Sequence, residues 1–272
     1  MTKKPNTFND DLYISNSQIF TYQTCSLKYF YQYVEKRPTE SVDVALPFGS
    51  AIHSALDLYY RSYKNRLEIP SLVDITDSFI DYLNIDLESE NTAFSEKMED
   101  RESAIKMGVA LLETFYDSMD LSEFEVVGVE MPLTAQLFEN GQPTDFNLVG
   151  IIDLLLRDKN NGDLLLVDNK TAGRSMAQST ADDNNQMTAY SYLLASNKLI
   201  PSKTTVQCRF DVFLKLKKPK FQQVCTFRDS SDRRRFGKLA NAVLSAIDAK
   251  IFIPHASWMC GGCQYSDICE EW

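Results

Sequence analysis

No stretch of this 272-residue chain is apolar for long enough to span a bilayer. Its opening, M-T-K-K-P-N-T-F-N-D-D, holds no apolar run like that of a signal peptide, so a cytoplasmic setting is expected, with no membrane partner. Internal repeats and low-complexity segments are missing too, and a packed globular chain of one large domain or two small ones is left. Histidine is scarce: there are two, His53 and His255. Positive charge is short as well, with 28 lysines and arginines against 38 acids and a net charge of −10. By itself that balance weighs against a nucleic-acid partner, but its distribution is uneven. Eleven acids face only Lys97 and Arg101 between Glu68 and Glu102, whereas twelve basic residues face four acids between Lys203 and Lys250. Lys215, Lys217, Lys218 and Lys220 form one basic group, and Arg233, Arg234 and Arg235 another. Such a face suits a phosphate backbone, and equally a solvated strand end and helix start.

Cysteine is present in meaningful number. In a reducing compartment, six cysteines favour metal binding over disulfides. Cys260, Cys263 and Cys269 form C-G-G-C-Q-Y-S-D-I-C near the C-terminus, and Cys25 lies far upstream among aromatic residues. The C-terminal trio lacks a fourth thiolate, and Cys25 is the natural donor, so a metal centre would pin the last residues to the first helix. Four thiolates suit zinc or an iron–sulfur cluster. Cys208 and Cys225, in strand-like segments, read as small core residues.

Apolar periodicity predicts helices over 15–36 (capped by Ser15 or Ser17), 48–66, 73–88 and 96–119. Strands follow at 124–137, 147–157 and 164–170, the last two joined at Asn160-Asn161-Gly162-Asp163 as a hairpin. A helix over 183–196, strands over 204–217 and 222–227, and a helix over 231–250 capped by Ser230 or Ser231 complete the order. The expected class is α/β: a mixed central sheet flanked by helices, preceded by a helical region and followed by a cysteine-rich tail.

Two acids stand where acids are costly. Asp153 interrupts I-I-D-L-L-L, and Asp168 closes the apolar run of L-L-L-V-D-N-K-T. Lys170 is two residues on, so it shares a strand face with Asp168, and the hairpin can bring Asp153 alongside. Two carboxylates beside an ammonium suit a hard divalent cation such as Mg²⁺ or Mn²⁺, or else a buried salt bridge. His53 lies on a helix between Ile52 and Leu56, in a place where histidine is commonly a packed boundary residue; His255 reads as surface or packing. Gln186 and Tyr190, four apart, share a helix face.

Taken in order, His53, G-I-I-D ending at Asp153, D-N-K across Asp168 and Lys170, and Q-M-T-A-Y from Gln186 to Tyr190 resemble the RecB-type branch of the PD-(D/E)XK nuclease superfamily. The cysteine arrangement is similar to that of the iron–sulfur members of this branch, which include the AddB nuclease domain and the CRISPR-associated RecB-like exonucleases. The resemblance runs from about Ser15 to Cys269. It implies a restriction-endonuclease-like fold and a single nuclease domain over 1–272, with a helical part at 12–120, a core at 121–250 and a tail at 251–272. It also implies that Asp153, Asp168, His53 and the backbone carbonyl of Asn169 hold the cation. Lys170 would orient water and stabilise phosphate charge, Gln186 and Tyr190 would position DNA or support the site, and Cys25, Cys260, Cys263 and Cys269 would hold a 4Fe-4S cluster. Two positions depart from the common pattern: Asp168 stands where many relatives have Glu, and Ile152 where many have Pro.

The activity implied is metal-dependent cleavage of DNA, as an exonuclease on ends or single strands, in repair, recombination or CRISPR-type processing. No G-x-x-x-x-G-K-[ST] motif is present, so any unwinding falls to a helicase partner. A non-catalytic DNA-binding scaffold on the same fold and a zinc-stapled interaction protein are the alternatives.

Overall fold

The computed structural model describes residues 12–66, 68–89 and 91–272. The opening segment up to residue 11 and Glu90 of the acidic run lie outside them. The chain begins with β1 (Tyr13–Ser15), α1 (Asn16–Thr24), α2 (Ser26–Tyr29) and a π-helical turn over Phe30–Val34. A short strand β2 (Val42–Asp43) leads into the long α3 (Ala45–Arg66), then α4 (Leu72–Ser89), β3 (Thr92–Ala93) and α5 (Arg101–Ser118). Three strands come next: β4 (Phe124–Glu139), β5 (Gln142–Asp158) and β6 (Leu164–Ala172). The remainder is α6 (Gln178–Asp182), α7 (Asn185–Ser196), β7 (Val206–Leu214), β8 (Lys220–Arg228), α8 (Ser230–Asp248), a 3₁₀ turn over Trp258–Gly262 and α9 (Ser266–Glu270). No helix among the described residues is long and apolar enough to cross a membrane.

The main sheet is six-stranded and mixed, in the order β1-β5-β6-β7-β8 with β4 on β5. β4 covers one whole edge of β5 in antiparallel register. The other edge is shared: β1 pairs in parallel with Asn147–Val149, and β6 pairs antiparallel with Leu154–Arg157. Between them, residues 150–153 of β5 have no ladder partner on that side among the described residues, because β6 beyond Val167 pairs with β7. The sheet opens there. One face packs on α7 and α8 through Leu166, Cys208, Phe210, Met187, Leu193 and Phe236. The other packs on α3, α4 and α5 through Leu154, Val167, Phe213, Phe48, Phe79 and Phe115. A helix–sheet–helix sandwich with a mixed centre is the class expected.

Several local expectations change. The first helix is broken at Cys25, which is extended (φ −162°, ψ 110°) and caps α2 by accepting the Lys28 N–H on its sulfur. Ser15 does cap α1, in a reciprocal box with Gln18. α3 starts three residues early because the Asp43 carboxylate accepts the Ala45 N–H, and Pro47 sits in the first turn, where its missing N–H is tolerated. Asp229, not a serine, caps α8: its carboxylate accepts the Ser231 and Asp232 N–H groups. α5 starts at Arg101, capped by Asp100, rather than near 96. Cys208 is buried, and burial pushes its thiol up to about 12. Cys225 is exposed, not core, because that face of the edge strand β8 runs past the helices that cover its start.

The outer helices meet at Gly108 of α5. A Cβ built there would lie 2.0 Å from Phe79 Cζ on α4, so only glycine allows this approach. Gly108→Ala is expected to lower unfolding free energy by about 1–3 kcal/mol through overpacking, read as a shifted urea midpoint with an unchanged slope.

Candidate active site

The opening of the sheet is the floor of a cavity of about 620 Å³. Its walls come from three directions: Ser15 and Asn16 at the start of α1, Gly49, Ser50 and His53 on the first turns of α3, and Gln186 and Tyr190 on α7. β4, β5 and β6 supply Glu130, Asp153, Asn169 and Lys170.

Asp168 lies beneath that floor, with no exposed surface. Its Oδ2 is 2.8 Å from Lys170 Nζ, and its Oδ1 accepts a 2.8 Å hydrogen bond from Gln186 Nε2. Gln186 Nε2 also donates to the Tyr190 hydroxyl at 2.8 Å. The same-face spacings expected on strand and helix thus converge on one carboxylate. Asp153 is held differently. Its Oδ2 accepts the Asn169 backbone N–H at 2.8 Å, across the stretch where the β5–β6 ladder has ended. His53 Nδ1 lies 3.8 Å from the same oxygen. The Asn169 side chain points away from Asp168, as a neighbouring strand residue must, and its buried Oδ1 has no hydrogen-bond partner among the described residues.

The sequence reading did not single out Glu130. Its Oε1 is 3.3 Å from His53 Nδ1, and ligand atoms of His53, Glu130 and Asp153 all lie within 4.8 Å of one another. Asp168 is outside that trio, engaged by Lys170 and Gln186. Glu130 sits between the ladder pairs Val129↔Leu154 and Met131↔Ile152, so it stands opposite Asp153. Its φ of +44° is left-handed, a conformation that costs a non-glycine residue about 1–2 kcal/mol. The inward face switches at this point in both strands. Val129 and Leu154 pack on the α3 side, while Met131 and Ile152 pack on the α7 side. That switch turns both acids toward the cavity.

The electrostatics follow from crowding. Burial first and the charge of Asp168 second push the Asp153 carboxyl up to about 7, against the opposing pull of His53, Lys170 and the Asn169 N–H. Burial pulls His53 down, yet the hydrogen bond to Glu130 and the charges of Asp153, Glu130 and Asp168 leave it raised on balance. Lys170 follows the same logic: burial lowers it, and Asp168 and Asp153 more than compensate. Excess negative charge around a cavity lined by one imidazole and oxygen donors is what a hard divalent cation neutralises.

The cysteines form a second cluster. Cys25, Cys263 and Cys269 pack around Leu27, Tyr31 and Tyr265. Burial raises the Cys269 thiol, as do Cys25, Cys263 and Cys260, so the four thiols are near enough to repel as thiolates. Among the described residues, no three of their sulfurs lie mutually within 4.8 Å. The tail is fastened to the N-terminal helices independently: Ser26 Oγ donates to the Ile253 carbonyl, the Ile253 N–H donates back to Ser26 Oγ, and the Tyr22 hydroxyl donates to the Ile251 carbonyl. His255 is exposed.

Part of the basic segment is interior. Arg209 makes a buried two-point pair with Asp211, Arg228 bonds the Ala181 and Asn184 carbonyls and Thr188, and Arg233 bonds the Ser202 and Thr204 carbonyls and Ser191. The acids Asp74, Asp77, Asp81 and Glu88 of α4 are exposed, as expected of a solvated face.

The family model described as the PD-(D/E)XK nuclease superfamily matches residues 13–270. Among solved structures, the chain is similar in fold to a candidate exonuclease from Eubacterium rectale, with a TM-score of 0.54 at 12% identity, covering 100% of this chain and 93% of that one. A second, the crystal structure of SSO0001, matches at 14% identity with a TM-score of 0.34 over 90% of this chain and 94% of that one. No curated protein matches the sequence.

A divalent cation should compete with the Asp153 proton. The folded-state pKa of about 7 is above the ordinary carboxylate value, so folding favours the protonated acid. The contribution to stability is therefore present at low pH and lost as pH rises through about 7. An ion in the proton's place restores it. Mn²⁺ at about a hundredfold excess over Kd is expected to raise Tm by roughly 5–10 °C at pH 8 and by clearly less at pH 5.5, measured by differential scanning fluorimetry. Equal shifts at both pH values would show that no buried acid is being neutralised.

Proposed function

The chain belongs to the PD-(D/E)XK nuclease superfamily, and from that premise we propose that it is a metal-dependent deoxyribonuclease of the RecB-like, iron–sulfur branch, acting as an exonuclease on DNA ends or single strands. It is a hydrolase of phosphodiester bonds by family. One arrangement supports the finer reading: His53, Glu130 and Asp153 gather at a cavity whose floor also presents Lys170, itself held by a fully buried Asp168.

The oxygen-rich donor set fits Mg²⁺ or Mn²⁺. His53, Glu130 and Asp153 would hold the ion, with Asp168 and the Asn169 backbone completing its surroundings as the family pattern implies. When bound, it supplies Lewis-acid chemistry, acidifying water and shielding phosphate charge. The remaining work is done by the chain. Lys170 has its pKa raised, so it stays an ammonium and acts as a hydrogen-bond donor to water or a phosphate oxygen, not as a proton acceptor. Asp168 fixes that ammonium at 2.8 Å, and Gln186 fixes Asp168 from the other side. Tyr190 is held well above its ordinary pKa by burial and by Asp168, so it keeps its proton and serves as a neutral wall of the site.

Residues 12–120, 121–250 and 251–272 act as the helical part, core and tail of one nuclease domain. The tail carries the 4Fe-4S cluster on Cys25, Cys260, Cys263 and Cys269. A zinc ion with bonds of about 2.3 Å would hold its sulfurs about 3.8 Å apart. Four thiolates suit a 4Fe-4S cluster as well, and structural zinc is the alternative. The cluster's role is to staple the two ends of the chain. The protein works in the cytoplasm, with a helicase or a CRISPR-adaptation complex as the partner that would supply opened DNA.

End-labelled single- and double-stranded DNA, incubated with Mn²⁺ and with chelator, tests the activity. Metal-dependent degradation is expected; binding without cutting would make the chain a scaffold, and neither would make it an interaction module. Lys170→Ala is expected to cut at least ~10²-fold more slowly while keeping its fold and its DNA affinity; full activity would remove the lysine from the mechanism. Protein purified without oxygen is expected to be brown with broad visible absorbance, and Cys25→Ala to lose both colour and stability. A colourless preparation holding one zinc would replace the cluster.

A further inference from the structure

A second cavity, of about 670 Å³, adjoins the first and shares Asn16, Ser17 and Gln186 with it. One wall is the outer face of α1, where Ser17, Phe20 and Thr24 follow one another at helical spacing. The other is the α6–α7 corner, with Thr180, Asn184 and Asn185. Phe20 is 60% exposed, a large apolar ring left in solvent beside a polar groove. Among the described lining residues no cation occurs and Asp183 is the one charged group, so the groove they form does not suit a phosphate chain. Its amides and hydroxyls match the donor and acceptor edges of bases, and an exposed ring offers a face on which a base can stack whatever its sequence. Bases in a duplex are already stacked and paired, so only an unpaired strand can use such a surface.

Resting on the deoxyribonuclease reading, we propose that this groove is a subsite for unpaired bases next to the scissile phosphate, with Phe20 as the stacking platform. The phosphate sits over Lys170 in the first cavity, and the adjoining nucleotide turns its base into the second. Continuity through Asn16, Ser17 and Gln186 makes one path of the two. The subsite makes single-stranded ends the preferred substrate.

The test uses the full chain carrying Lys170→Ala, so that DNA is bound and not consumed. Anisotropy of a labelled oligodeoxythymidine gives the affinity. Adding Phe20→Ala is expected to weaken binding on the order of tenfold, with Tm unchanged because the ring is exposed. Phe20→Trp should restore affinity, and an oligomer of abasic sugar-phosphate should bind the parent and Phe20→Ala alike. An affinity within twofold of the parent overturns the subsite and leaves the groove to another occupant. Loss that Phe20→Trp does not rescue, or that comes with a lower Tm, also overturns it, as a folding effect. If the parent binds no DNA at all, the deoxyribonuclease reading itself fails and takes the subsite with it.

Discussion

Two carboxylates in the interior of a sheet are the constraint around which this molecule is arranged. Asp168 is fully buried and Asp153 nearly so. Such charges are costly unless every one is paired or hydrogen-bonded. The compensation comes from three separate elements: Lys170 from the same strand, Gln186 from α7, and the Asn169 N–H with His53 around Asp153. The N–H is available because β6 leaves β5 at this point, so the opening in the ladder and the paired acids are one feature. A closed ladder would satisfy the backbone and leave Asp153 without its donor.

The groups that set Gln186 in place belong to the fold's interior. Asn184 caps α7 by accepting the Gln186 N–H, and the Asn184 carbonyl in turn accepts from Arg228, which also holds the Ala181 carbonyl. An arginine that reads in sequence as part of a basic surface thus anchors the corner that presents a site residue. The tail is organised in the same manner. Ser26, beside the break at Cys25, exchanges two hydrogen bonds with Ile253, and Phe252 lies among Tyr22, Tyr29 and Phe30. The ends of the chain are therefore joined through backbone and aromatic contacts before any metal is considered.

What the sequence made legible were residues whose spacing is local. Asp168 and Lys170 follow the two-residue period of a strand, Gln186 and Tyr190 the four-residue reach of a helix, and Asp153 stands out as an acid in an apolar run. Glu130 depends on register between strands, and the register is irregular. Asn140 and Gly141 both have positive φ and form the hairpin turn that joins β4 to β5. Counting back from that turn, where Glu139 pairs with Gln142, places Glu130 opposite Ile151. The shift between Gln136 and Phe138 moves it opposite Asp153 instead. The helix break at Cys25 was hidden for a related reason: apolar periodicity runs through it, and the extended backbone at one residue leaves no mark on that pattern. Arginine misleads for a different reason. Its composition suggests surface, but its five donors let it replace several backbone partners at once inside a corner or between loops.

Net negative charge is compatible with a polyanionic substrate because the field that matters is local. Charges exposed to solvent are screened over about 8 Å at physiological ionic strength. The acids of α4 lie on its solvent face, in the outer layer of the sandwich, and act mainly on water and counterions. At the cavity, by contrast, the ammonium of Lys170 is half-buried, and the N-terminal turns of α1 and α3 both line the walls. The dipoles of these helices place partial positive charge at those turns. A cation among His53, Glu130 and Asp153 would add the largest positive charge of all where the acids are most crowded. The sum of charges over the whole chain therefore says little about what this cavity attracts, and the position of each charge relative to solvent says most of it.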